Sequence, residues 1–76
     1  MMGLGVMQDY SKAANWYLLS AEQGYAPAQF ALGFCYSIGF GVRRDRDEAI
    51  RWYKKAARQG DTDAQEALLN LGVRSW

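Results

Sequence analysis

The amino-acid sequence predicts an all-α chain of antiparallel helix hairpins, stacked as a short α-solenoid of about four helices. Three observations lead there. Shifted by 36 positions, the sequence matches itself at 14 of 40 aligned pairs, among them Gly3/Gly39, Gly5/Gly41, Asp9/Asp45, Trp16/Trp52, Tyr17/Tyr53, Gly24/Gly60 and Leu32/Leu68. Chance at average composition gives roughly 2–3 matches, and a fixed period of this size marks a stacked helical repeat. Apolar residues between the matched glycines recur at helical spacing. Aspartate, proline and glycine then stand where helices start and stop.

The elements follow in order. Met1 to Gln8 aligns with Ser37 to Arg44, a glycine-bearing turn, so a turn is expected there and the chain is expected to begin inside a repeat. Asp9 to Gln23 is the first helix, capped by Asp9 through the free N–H groups of its first turn. Ala13, Trp16, Tyr17 and Ala21 make its inner face. Gly24 ends it in a left-handed conformation that glycine adopts at little cost. Pro27 opens the second helix, whose fixed φ suits a first turn. Its buried stripe is Ala28, Leu32, Gly33 and Tyr36, and Gly33 leaves room for a tryptophan or tyrosine to lie on the backbone.

Gly39 and Gly41 bracket the next turn and Val42 plugs it. Asp45 with Glu48 reads as a capping box for the third helix, and Asp47 with Arg51 as an i,i+4 ion pair. Ala49, Trp52, Tyr53, Ala56 and Ala57 repeat the inner face of the first helix, and Gly60 closes it. Asp61 or Thr62 caps a fourth helix, where Ala64 and Leu68 keep the pattern. Leu69 and Gly72 then depart from it, standing where Gly33 and Tyr36 stood. The expected organisation is a second half-repeat over 1–24, a complete repeat over 25–60 and the start of a degenerate repeat over 61–76.

Composition sets limits on function. Half of the 76 residues are apolar and the net charge is +1, so the chain is not disordered by composition and has no global pull toward nucleic acid or anionic lipid. No run of about 18 apolar residues occurs to span a bilayer, and no basic segment precedes an apolar core as in a secretory signal. There is one cysteine and no histidine.

The spacing of Ala28, Leu32, Gly33, Tyr36, Gly39, Gly41, Val42, Asp45, Ala49, Trp52, Tyr53, Ala56, Ala57 and Gly60 resembles a complete Sel1-like repeat. This family is related to the tetratricopeptide repeats and has a longer inter-helix turn. The resemblance extends over nearly the whole chain. It implies a right-handed α-solenoid acting as an adaptor or scaffold, with a protein or peptide partner and no cofactor. Relatives occur in the bacterial periplasm, in secreted and cytoplasmic proteins and in the endoplasmic reticulum. A cysteine-rich subfamily is linked to β-lactamase activity. Its cysteines would fall at Ala21, Gln29, Ala57 and Gln65, and since none is cysteine that hydrolase activity is not carried over.

The residues themselves offer no catalytic set. Without histidine there is no Ser-His-Asp or Cys-His arrangement. Cys35 reads as a half-buried structural thiol. Asp45, Asp47 and Glu48 read as a cap plus an ion pair, because nothing converges with them to hold a metal. Gly39-Phe40-Gly41 follows no strand, so a phosphate loop fails on context.

Two surfaces remain. Phe30, Phe34 and Ile38 run at i, i+4, i+8 beside the packing stripe, with Pro27 and Ser37 on the same face and Asp63, Glu66 and Asn70 at the matching positions of the next repeat. Phe30, Phe34, Ile38, Ser37, Glu66 and Asn70 are therefore the candidate partner contacts on a concave groove. The competing reading is that this stripe packs on further repeats, or that chains pair through it or through their repeat ends as homo-oligomers. The second surface is basic: Arg51, Lys54, Lys55 and Arg58 share the outer face of the third helix. No aromatic is interleaved there for base stacking, so a solvated face is expected rather than a nucleic-acid site.

Overall fold

A computed structural model describes the backbone of residues 2–76 and the side chains of residues 10–76. The described chain forms α1 (Met2–Glu22), α2 (Ala26–Ile38), α3 (Arg46–Arg58) and α4 (Thr62–Asn70), with no strand among these residues. Each helix packs on the next in sequence. The result is a short stack of antiparallel hairpins, 44 × 24 × 16 Å, with a thin core.

The stops and starts are chemical. Gly24, Gly39 and Gly60 take φ of 92°, 76° and 93°, left-handed values that let the chain turn at little steric cost. The Asp45 carboxylate accepts from the Glu48 N–H at 3.1 Å, and Asp61 from the Ala64 N–H at 3.0 Å. The capping box is half made. The Asp45 N–H donates to the Tyr36 carbonyl at 2.9 Å, so the Glu48 side chain is free to pair with Arg51 at 3.2 Å instead. Arg51 therefore bridges to Glu48, one residue nearer than the expected Asp47. Arg46 at the start of α3 donates to the Leu71 carbonyl at 2.7 Å, capping the end of α4 from outside.

The expected turn ahead of the first helix is not formed. Met2 to Gln8 is helical and continuous with the rest of α1, so Asp9 lies inside the helix and does not cap it; Met1 lies outside the described residues. The physical reason is visible in the matching turn at Gly39–Arg44. There Gly39 and Phe40 both donate to the Cys35 carbonyl, at 2.8 and 2.9 Å, and Asp45 reaches the Tyr36 carbonyl. Counterparts of Cys35 and Tyr36 fall outside residues 1–76, so intrahelical bonds are the local way to satisfy this backbone.

The core is thin and alanine-rich. Seven of the twelve buried apolar residues are alanine, so helix backbones approach closely and a few large side chains carry the burial. Ala21, Ala28, Leu32 and Trp52 tie α1, α2 and α3 together. Ala49, Tyr53, Ala56, Ala57, Ala64 and Leu68 join α3 to α4. The repeat-matched aromatics separate here. Trp52 and Tyr53 are 5% and 3% exposed, whereas Trp16 and Tyr17 are 70% and 37% exposed. Trp52 is covered by residues 20–31 positions before it, and the equivalents for Trp16 lie outside residues 1–76. On α1 the buried positions are Ala14 and Ala21, which corrects the inner face expected from the period.

A polar clasp joins the end of α1 to the start of α2, and the end of α3 to the start of α4. The buried Gln29 donates from Nε2 to the Ala21 carbonyl at 3.1 Å, and Gln65 donates to the Ala57 carbonyl at 3.1 Å, one period later. Gln59 adds bonds to the Gly24 carbonyl at 2.8 Å and to Gln29 Oε1 at 3.0 Å. Ala21 with Gln29 and Ala57 with Gln65, the positions expected to align with cysteines of the cysteine-rich relatives, are thus joined here by amide hydrogen bonds. Gln29→Ala removes the amide bond but leaves the Ala21 carbonyl its bond from the Gly24 N–H at 3.0 Å, so it is expected to cost about 0.5–1.5 kcal/mol in urea unfolding. Gln65→Ala, at a half-buried site, should cost less, and equal small losses at both would remove the clasp from the account.

Candidate protein-interaction groove

A groove of about 360 Å³ opens between α2 and α4, over the edge of α3. Phe30 and Phe34 project from α2 at i, i+4 spacing, which places them one above the other on one helix face. Tyr53 rises from α3 between them and α4. It can do so because Gly33 has no side chain: a Cβ built there would lie 2.7 Å from Tyr53 Cδ1 and 3.1 Å from the Ala49 carbonyl. The Phe30 and Tyr53 rings meet at 5.6 Å between centroids, tilted by 39°. Ala67 and Leu71 of the α4 side complete the apolar surface, and Ser37, Asp63, Glu66 and Asn70 form its polar rim.

The structure thus brings Phe30, Phe34, Ser37, Glu66 and Asn70 to one groove. Ile38 is exposed but does not line it. Ile38 sits at the last turn of α2, where the chain leaves for Gly39. The two phenylalanines differ. Phe30 is half-buried against the α3–α4 core, whereas Phe34 is 48% exposed, so only Phe34 is free of a structural duty.

Sequence reasoning placed Tyr53 in the scaffold alone, yet it forms the groove floor as well. Burial pushes its phenol above the ordinary tyrosine range, and the Ser37 hydroxyl beside it draws it part of the way back. That pairing was the available signal: a buried tyrosine needs a polar neighbour, and Ser37 lies one turn beyond Gly33 on the helix that Tyr53 covers. The Ser37 hydroxyl spends its own proton on the Phe34 carbonyl at 2.7 Å.

Cys35 is fully buried rather than half-buried. Burial pushes its thiol up, against a smaller lowering by a backbone hydrogen bond, which keeps it protonated and a poor nucleophile. No group of three His, Cys, Asp or Glu side chains able to hold a metal ion occurs among the described residues. No described helix is long and apolar enough to cross a membrane.

On the opposite side, Arg51, Lys54, Lys55 and Arg58 line a shallow depression with Asp47 and Ile50. Arg51 and Lys55 lie 5.6 and 4.7 Å from the Trp52 ring centroid. Trp52 is too buried to offer a face for base stacking.

Helix hairpins of fixed period, stacked through glycine-set turns, define a short α-solenoid with an open groove. The chain belongs to the Sel1 repeat family: the family's sequence profile matches residues 1–25 and 26–61. The crystal structure of a Sel1 repeat protein from Oxalobacter formigenes is similar to it, with a TM-score of 0.75 and 41% identity. That match covers 86% of this chain but 28% of the Oxalobacter chain, so this chain spans little more than a quarter of its length. No curated protein gives a significant match. Sel1 repeats are in general protein–protein interaction modules, and their proteins are typically non-catalytic repeat scaffolds.

Proposed function

We propose that the chain is a non-catalytic protein-interaction module that holds a peptide or helix of a protein partner in the α2–α4 groove. The observation that carries this reading is Phe34: a large aromatic ring, half exposed, beside an apolar floor that the fold itself does not fill. Exposed apolar surface with a polar rim is the mark of a partner site, and a groove between helices suits an amphipathic segment with anchors at helical spacing. The residues assigned to contact are Phe30, Phe34, Ser37, Glu66 and Asn70, with Ile38 at the rim beyond.

The chain is read as one complete repeat over 25–60, with the second half of a repeat over 1–24 before it and the start of a degenerate repeat over 61–76 after it. A second reading has its own support. Trp16 and Tyr17 lie exposed on α1 at the positions that Trp52 and Tyr53 use for stacking, so the chain also serves as a segment of a longer array, and α1 is the surface on which a preceding repeat would stack.

The test is panning of a displayed random-peptide library against the chain and against Phe34→Asp. Peptides enriched on the parent chain should lose binding by at least about tenfold on the variant, the cost of losing one well-packed aromatic contact. Circular dichroism should be unchanged, because Phe34 is outside the core. Peptides that bind both proteins equally would place the partner site elsewhere.

A further inference from the structure

The groove reading above leaves the occupant's chemistry open, and the inference here rests on that reading. The charged groups at the groove are all acceptors. Asp63 and Glu66 supply two carboxylates, and no lysine or arginine lines the groove. The Ser37 hydroxyl donates a hydrogen bond to the Phe34 carbonyl, which leaves its lone pairs to accept. Asn70 and the Tyr53 phenol bring donors as well as acceptors.

Neither carboxylate is neutralised by a cation of the chain: Arg51 with Glu48 is the one ion pair among the described residues. Asp63 stands in the first turn of α4, where the helix dipole already favours its charge. Glu66 lies one turn further and lacks that support. The chain carries a net charge of +1, so the negative groove is a local feature. Its counterweight lies on the outer face, where Arg51, Lys54, Lys55 and Arg58 gather. The groove and the outer face of α3 therefore have opposite sign.

We infer that the groove takes a basic, apolar peptide segment. A large aliphatic or aromatic side chain would rest on Phe34 and Tyr53, and a lysine or arginine one turn away would meet Glu66 and Asp63. An acidic amphipathic helix of the same shape would bring like charges together and leave the acceptors unpaired.

The experiment is fluorescence anisotropy with two labelled twelve-residue amphipathic peptides that share one leucine pattern, one with lysine and one with glutamate at the polar positions. At low ionic strength the leucine–lysine peptide should bind at least about tenfold more tightly than its acidic twin. Asp63→Asn combined with Glu66→Gln should weaken the basic peptide roughly three- to twentyfold, as expected of two partly exposed ion pairs, and Phe34→Ala should weaken it as well. Equal binding of the two peptides, both weakened by Phe34→Ala, would overturn the charge assignment and leave the groove reading standing. No binding of either peptide, or binding indifferent to Phe34→Ala, would overturn both.

Discussion

Trp52→Ala is expected to destabilise the chain by about 3–5 kcal/mol, whereas Trp16→Ala, the same motif position one repeat earlier, should change stability by less than about 0.5 kcal/mol. Trp52 is 5% exposed and is enclosed by Ala21, Ala28 and Leu32, so truncation leaves a cavity at the junction of three helices. Trp16 is 70% exposed and its loss leaves none. The indole N–H of Trp52 is buried without a hydrogen-bond partner, so Trp52→Phe removes an unsatisfied donor along with some volume and should be far milder than Trp52→Ala. Urea unfolding followed by far-ultraviolet circular dichroism measures all three. For a domain this small, a loss of that size is a large share of total stability. Equal losses at Trp16 and Trp52 would contradict the packing described.

Gly33→Leu should lower stability by about 1–3 kcal/mol or somewhat more, through overpacking. Even a Cβ at this position would meet Tyr53 Cδ1 and Cε1 at 2.7 and 2.8 Å and the Ala49 carbonyl at 3.1 Å. Tyr53 cannot swing aside without leaving the α3–α4 core, and a backbone carbonyl cannot move independently of its helix. The gain in helix propensity on replacing glycine, about 0.5–1 kcal/mol, offsets only part of this. A fall in Tm of roughly 4–8 °C per kcal/mol follows for a chain of this length. Leu69 stands at the matching position of α4 without strain because it is 52% exposed. An unchanged Tm for Gly33→Leu would show that Tyr53 does not rest on α2 as described.

The helix order, the glycine turns and the role of Gly33 could be read from the sequence because each depends on local chemistry repeated at a fixed period. Asp45 as a cap, Asp61 or Thr62 as the next, Gly24 and Gly60 as stops and an aromatic ring over Gly33 all follow from residue type and spacing; the structure selects Asp61 and Tyr53. The period misled where burial depends on a neighbour that residues 1–76 do not contain. Trp16 copies Trp52 in sequence but not in surroundings, and Met2 to Gln8 copies a turn without the carbonyls that anchor it. The groove was legible in part. Phe30 and Phe34 announced themselves by helical spacing, and Glu66 and Asn70 by their match to them one repeat later. Tyr53 was hidden because one side chain serves both core and groove. Ile38 followed the same spacing, but α2 ends there and carries it past the groove.

The central claim is that the α2–α4 groove is an open face, filled by neither the chain's own core nor a second copy. Light scattering across a concentration series, on the parent chain and Phe34→Asp with circular dichroism on the same samples, tests it most directly. The account predicts the same mass and the same helicity for both proteins at every concentration. A parent dimer that Phe34→Asp disperses would contradict it, because the groove would then be an interface between copies.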